Sequence, residues 1–196
     1  NVRFEYLLAG PTATVPDSLN KMKVIRTPVR KVICMSTSHI AFLDALGETS
    51  SIYGISGGNY VTNDKVIKAF EEGKIVDIGY GQNLNYELII KTKPDLVLVY
   101  GIGSEVSGFV KKLEDLGIGV IIIAEYLEPL PLGKTEWIKL IAALFDKEKE
   151  ADNFFNSIES DYLALRAKAG NKDSGPEVLV GTPYRDNWWV PGGNSY

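Results

Sequence analysis

Apolar and polar positions along the chain fall into short runs that switch between two periods. Val32-Ile33-Cys34-Met35 is an unbroken apolar run of strand length, introduced by Pro28 and basic Arg30-Lys31. Ile40, Phe42, Leu43 and Leu46 follow at helical spacing. Ser36-Thr37-Ser38 offers the N-cap and Gly47 the C-terminal stop. The same unit then recurs. Ile52-Tyr53-Gly54-Ile55 predicts a strand, and a glycine-rich loop leads to a helix over 64–72, ended by Gly73. Ile75-Val76-Asp77-Ile78 predicts the next strand, and Asn85 caps a helix to about Lys91. Pro94-Asp95 leads into Leu96-Val97-Leu98-Val99-Tyr100. Ser104 caps a helix with Val106, Phe109, Val110, Leu113 and Leu116 on its apolar face, closed by Gly117. Val120-Ile121-Ile122-Ile123-Ala124 follows as a strand.

Strands alternating with helices predict parallel βαβ units. Near-continuous β-branched strands predict helices on both faces of the sheet. Residues 30–133 therefore read as a three-layer α/β lobe with a parallel sheet. In front of it, 4–8 and 22–26 read as short strands of an N-terminal β extension over 1–29, expected to add edge strands to the lobe. Behind it, 134–170 is a long helical stretch. Trp137, Leu140, Ile141, Leu144 and Phe145 share its first face, and Asp146 is expected to cap a second helix. That second helix carries Ala151, Phe154, Phe155, Ile158, Tyr162 and Leu165 as its apolar stripe and ends at Gly170. Val178-Leu179-Val180 predicts a new strand, opening a further segment over 171–196 with an aromatic, glycine-rich loop.

Composition narrows the chemistry. At 196 residues the chain is one large domain, or one domain and part of another. Its 21 basic and 25 acidic side chains give a net charge of −4, which argues against a nucleic-acid partner. Cys34 and His39 are the sole residues of their types. No intrachain disulfide can form, and no zinc site of the Cys₄, Cys₂His₂ or His₃ kind can be built within one chain. No apolar run is long enough to span a membrane. The start, Asn1-Val2-Arg3-Phe4, has no signal-peptide pattern and reads as processed or trimmed.

In an open parallel sheet, ligands bind beyond the carboxyl ends of the strands. Those ends are Ser36-Thr37-Ser38-His39, Ser56-Gly57-Gly58-Asn59-Tyr60, Gly79-Tyr80-Gly81-Gln82, Tyr100-Gly101-Ile102-Gly103-Ser104 and Glu125-Tyr126. All but the first carry a tyrosine. Tyrosine offers a flat apolar face with a polar tip, which suits a ligand with a large conjugated body. Ser38, His39, Tyr60, Tyr80, Gln82, Tyr100 and Tyr126 are the candidate ligand contacts. Any one of these loops alone reads equally well as an ordinary turn.

Other chemistries find little support. Gly79-Tyr80-Gly81 and Gly101-Ile102-Gly103 start a dinucleotide fingerprint but end it with Leu84 and Val106 in place of glycine. No phosphate-binding P-loop pattern is present. His39 has no recognisable nucleophile and orienting acid beside it in sequence, and reads as a rim or capping histidine. Cys34 reads as a small buried apolar residue. Glu87, in the first turn of its helix, reads on its own as a helix-dipole carboxylate. No catalytic or metal-ligating set emerges.

The run Asn85-Tyr86-Glu87-Leu88-Ile89-Ile90-Lys91-Thr92-Lys93-Pro94-Asp95-Leu96-Val97 resembles the most recognisable stretch of a known family, the iron-complex and vitamin B12 substrate-binding proteins of bacterial ABC importers. There a Glu opens a helix eight residues before the Asp of a Lys-Pro-Asp-Leu-Val strand start. Lys31 to Gly47 is similar to the family's first strand and helix, and Leu113 to Val120 to a later helix-to-strand step. Gly133 to Lys139 and Leu144 to Glu148 resemble the helix joining its two lobes. Pro183 to Tyr196 resembles the start of its C-terminal lobe.

The resemblance implies a two-lobe, non-catalytic protein that closes on a metal chelate: a ferric siderophore, haem or a corrinoid. It implies no cofactor beyond that ligand, an ABC permease as partner, a monomer, and a periplasmic or cell-surface lipoprotein whose lipid anchor is the membrane contact. Tyr100, Tyr80 and Tyr60 match aromatic ligand positions of the cobalamin binder, where tryptophans stand in place of some of these tyrosines. Glu87 matches the carboxylate with which this lobe docks onto the permease. One strand of a second lobe cannot make a core, so the chain is expected to be the front part of a longer protein. The rival reading is an α/β enzyme domain of nitrogenase-like or nucleotide-binding type. It needs a nucleotide fingerprint or a cysteine cluster, and the sequence has neither. A surface adhesion module would leave the tyrosine loops without a ligand.

Overall fold

A computed structural model describes residues 4–81, 83–101, 104–170 and 180–191. Strands β3 (Val32–Cys34), β4 (Ile52–Ile55), β5 (Val76–Asp77), β6 (Leu96–Tyr100) and β7 (Gly119–Ile123) form one parallel sheet in the order β5-β4-β3-β6-β7. Helices α1 (Thr37–Ala45), α2 (Asp64–Glu71), α3 (Tyr86–Thr92) and α4 (Ser104–Asp115) connect them. Strands β3 and β6 are apolar without interruption because both their faces are buried. In β6, Leu96 and Leu98 enter one core and Val97 and Val99 the other. Helices α1 and α2 cover the first face, together with α5 (Pro131–Ala143) and the start of α6 (Glu148–Ala169). Helices α3 and α4 cover the second, through Ile89, Phe109 and Leu113. Each fully buried Ile or Leu contributes roughly 2 kcal/mol on area grounds.

Local signals set the helix limits. Ser36 caps α1 by accepting from Ser38 N–H, and Asn63 and Asn85 cap α2 and α3 by accepting from Val66 and Leu88 N–H. Gly47, Gly73 and Gly117 follow their helices at positive φ. The Pro94-Asp95 pair has a tertiary reason. Pro94 stops α3, and Asp95 Oδ2 accepts from the N–H groups of Arg30 and Lys31, both at 2.8 Å. The starts of β6 and β3 are thereby tied together.

Several expectations need correction. The N-terminal strands exist as β1 (Tyr6–Ala9) and β2 (Lys23–Arg26), but they pair in parallel with each other in a separate sheet. They do not extend the large one; they are tied to the lobe by Ile25, which is buried in its first core, by the Lys23–Glu114 ion pair, and by the Tyr6 hydroxyl, which accepts from Ile122 N–H on edge strand β7 at 3.2 Å. Asp146 does not cap the second helix. It adopts φ +56° and ends α5, Lys147 N–H donates to Ala142 C=O, and Lys147 stands at the head of α6. Leu116 is 46% exposed, because α4 ends beneath it. On α6, Ala151 and Phe155 are buried, whereas Phe154, Leu163 and Leu165 are exposed. Of the strand expected at 178–180, the first two residues lie outside the described residues and Val180 is in no strand. A hairpin of β8 (Thr182–Tyr184) and β9 (Asn187–Trp189) follows. The side chains of Ser104 and Val106 lie outside the described residues. Among the described residues no helix is long and apolar enough to cross a membrane.

Candidate ligand-binding site

The strand order reverses direction between β3 and β6, since β4 and β5 lie to one side and β7 to the other. At such a switch point the connecting loops diverge and leave a crevice beyond the carboxyl ends. Two adjoining cavities open there. One, of about 310 Å³, is lined by Ser36, Thr37, Ser56, Tyr60, Tyr80 and Tyr100 above Met35. The other, of about 490 Å³, lies on the far side of Tyr100 and is mainly apolar, with Leu84, Tyr86, Val99 and Phe109 in its wall. Met35, Ser56 and Tyr100 belong to both.

The tyrosines are held by the glycine loops beneath them. The Tyr60 and Tyr80 rings lie 5.3 Å apart, tilted by 50°. Both rest on Gly57, whose φ is +70°. A Cβ there would come within 2.9 Å of the Tyr60 ring and 3.0 Å of the Tyr80 ring. Burial first, and the neighbouring Tyr80 hydroxyl second, raise the Tyr100 phenol above its ordinary pKa. Asp77, at the end of β5, fixes the loops. Its carboxylate accepts from the N–H groups of Gly57, Gly58 and Gly79 at 3.2, 2.8 and 2.9 Å. The Ser56 hydroxyl donates to Gly79 C=O at 2.7 Å.

The structure brings Tyr60, Tyr80 and Tyr100 into one cavity wall. Ser38 stands behind Ser36, with its hydroxyl on Glu125 Oε1 at 2.5 Å. Tyr126 is exposed on the turn after β7 and lines neither cavity. Gln82 lies outside the described residues. His39 is fully buried within α1, facing Leu98 of β6 rather than the crevice. Burial lowers its pKa to about 3, against a smaller opposing effect of the Leu98 backbone. Neither ring nitrogen meets a partner in good hydrogen-bond geometry. Cys34 is likewise buried, which pushes its thiol up. Glu87 is exposed on the first turn of α3 and lines neither cavity.

Sequence reasoning missed Asp77 as the brace of the loops, and Met35, Leu84, Tyr86 and Phe109 as cavity wall. The Asp77 signal was present as a lone acidic residue interrupting an apolar strand two positions before a glycine. Among the described residues, the two cavities are lined without Lys, Arg, His, Asp or Glu.

A five-stranded parallel sheet with a switch-point crevice, followed by a helical pair, defines a solute-binding lobe. The periplasmic binding protein family model matches residues 32–196, and the chain belongs to that family. It is 37% identical over 185 residues to an uncharacterized lipoprotein of Methanocaldococcus jannaschii, covering 90% of this chain and 44% of that protein. It is 29% identical over 170 residues to an uncharacterized ABC transporter substrate-binding lipoprotein of Bacillus subtilis, covering 85% of this chain and 51% of that one. The fold is similar to that of a possible iron-binding, periplasmic solute-binding protein from Staphylococcus epidermidis, with a TM-score of 0.64 and 23% identity over 86% of this chain and 62% of that chain. The chain spans about half the length of the curated relatives it matches. The family is a substrate-binding type rather than an enzymatic one.

Proposed function

We propose that this lobe captures a metal chelate outside the cytoplasm and delivers it to the permease of an ABC importer. The observation that carries the reading is the tyrosine-walled crevice at the β3–β6 switch point, whose described lining residues carry no charge. Its aromatic faces suit a large flat or apolar body, as in a ferric siderophore, haem or cobalamin. The relatives' descriptions as ABC substrate-binding and iron-binding proteins support the same class. The protein is non-catalytic in this reading, and the metal stays inside its chelate. Residues 30–133 act as the first lobe, 134–170 as the joint, and 171–196 as the start of the second. A lipid anchor holds the whole protein at the membrane surface as a monomer. Contacts from both lobes favour the closed form, and that form presents Glu87 to the permease.

The test is a titration of the full-length protein with haem, cobalamin and a ferric siderophore, followed by tryptophan fluorescence. Saturable quenching by one of them is expected. No binding of any of the three overturns the assigned function.

A further inference from the structure

The protons on the cavity floor are already committed. Ser38 Oγ donates to Glu125 Oε1 at 2.5 Å. A hydroxyl has one proton, so the 2.8 Å contact between Ser36 Oγ and Ser38 Oγ has Ser36 as its donor. Ser36 Oγ also accepts from Ser38 N–H at 3.3 Å as the cap of α1. Toward the cavity Ser36 therefore offers a lone pair and no proton. Ser56 reaches the same state by another route, since its proton goes to Gly79 C=O at 2.7 Å. The floor of the crevice thus carries two acceptor oxygens, at the ends of the neighbouring strands β3 and β4, and no cation among the described residues. The rim hydroxyls of Thr37, Tyr60 and Tyr80 belong to rotatable groups that serve either way.

Glu125 is the origin of this polarity. It sits in the turn after β7, is only 8% exposed, and its Oε2 is buried without a partner. Its Oε1 takes the Ser38 proton, and that bond sets the direction of the whole row, Ser36 to Ser38 to Glu125.

We infer that this crevice selects chelates presenting hydrogen-bond donors, amide N–H or hydroxyl groups beside an apolar body, and rejects carboxylate-rich or oxyanionic ligands. Glu125 is the positioning residue that sets this preference through Ser38 and Ser36. The inference rests on the chelate-delivery reading above. A carboxylate brought to this floor faces two acceptor oxygens and, among the described residues, no positive charge, with only the rotatable rim hydroxyls left to donate to it. An amide N–H meets a ready lone pair.

The experiment compares equilibrium affinities of the full-length protein for two pairs of probes. Cobalamin, edged with carboxamides, is set against haem, edged with two carboxylates. Ferrioxamine, with amide N–H groups, is set against ferric citrate. The donor-bearing member of at least one pair is expected to bind about tenfold tighter or more, the scale of a satisfied against an unsatisfied buried hydrogen bond. Glu125→Gln keeps the shape but can donate to Ser38, which frees the Ser36 proton for the cavity. It is expected to narrow the preference about tenfold. Ser38→Ala frees the same proton and carries the test if the Gln variant does not fold. Haem and ferric citrate each binding as well as or better than its counterpart overturns the inference and leaves the delivery reading standing. An unchanged ratio in folded variants removes the role of Glu125. Failure of every chelate to bind removes the inference together with the delivery reading.

Discussion

The carboxylate of Asp77 accepts a hydrogen bond from Gly58 N–H at 2.8 Å, across 19 positions of chain. Further N–H bonds from Gly57 and Gly79 end on the same side chain. One residue thus joins the loop after β4 to the loop after β5, and the Tyr60–Tyr80 pair rests on that junction.

Replacing Asp77 by Ala leaves these partly buried N–H groups without their acceptor. A loss of about 3 kcal/mol in unfolding free energy is expected, since bonds to a charged group are worth more than neutral ones. Chemical unfolding measures it. Ligand affinity should fall in the same variant, because the tyrosines lose their platform. A change below about 1 kcal/mol would mean that water replaces the carboxylate at little cost.

Gly57 and Gly79 should rank in a definite order. At Gly57 an added methyl meets the rings of Tyr60 and Tyr80, which are side chains at the crevice and can turn aside. At Gly79 it would lie 2.1 Å from the backbone oxygen of Asn83, which cannot move without the loop. Both residues also hold positive φ, which costs an alanine about 1 kcal/mol on its own. Gly57→Ala is expected to weaken binding more than stability. Gly79→Ala is expected to be the less stable of the two. Thermal unfolding and titration of both variants check the order; its reversal would contradict the packing described.

What was legible in the sequence was what is local. Asn85 sits two residues ahead of Glu87 and three ahead of Leu88, and its capping bond needs nothing from elsewhere. The apolar runs of β3 and β6 announced two buried faces, and the alternation of Leu98 and Val99 between two cores bears that out. Tyr60, Tyr80 and Tyr100 could be brought together because the carboxyl ends of parallel strands share one edge. Asp77 was not legible as a brace, since its partners come mostly from a loop already passed. Asp146 was misread for a related reason. Aspartate suits an N-cap and also tolerates the left-handed region, and only the path from α5 into α6 decides between them. The pairing of β1 with β2 depended on a connection that their apolar pattern does not encode.

His39 should make stability depend on pH. Its folded pKa, near 3, lies below the ordinary histidine value of 6.5 because burial disfavours the cation. Between those values the unfolded chain binds a proton that the folded protein does not. Stability from this residue is therefore complete above pH 6.5 and is lost as pH falls toward 3. The slope is at most about 1.4 kcal/mol per pH unit. His39→Leu removes the titration and the unpartnered ring nitrogens, so it should flatten unfolding midpoints over this window without loss at neutral pH. An equally steep variant would place the acid sensitivity in other groups.

Glu87 offers the sharpest separation between holding a ligand and passing it on. It lies exposed on the first turn of α3, next to Tyr86, whose ring faces inward to Phe109 at 5.9 Å and lines the larger cavity. One helix thus presents a cavity residue and, one position later, a solvent-facing charge. Asn85 holds the turn through its bond from Leu88 N–H at 3.0 Å, so the helix start does not depend on the Glu87 side chain. Glu87→Arg reverses the charge at a surface that, under the proposed delivery role, meets a basic pocket of the permease. Uptake by cells carrying the full-length variant should fall about tenfold or more, while chelate affinity stays within about twofold. Transport of a labelled chelate and direct titration give the two numbers. Unchanged uptake would remove Glu87 from the docking surface. Lost affinity would instead make it part of the ligand site, and the division of labour along α3 would have to be redrawn.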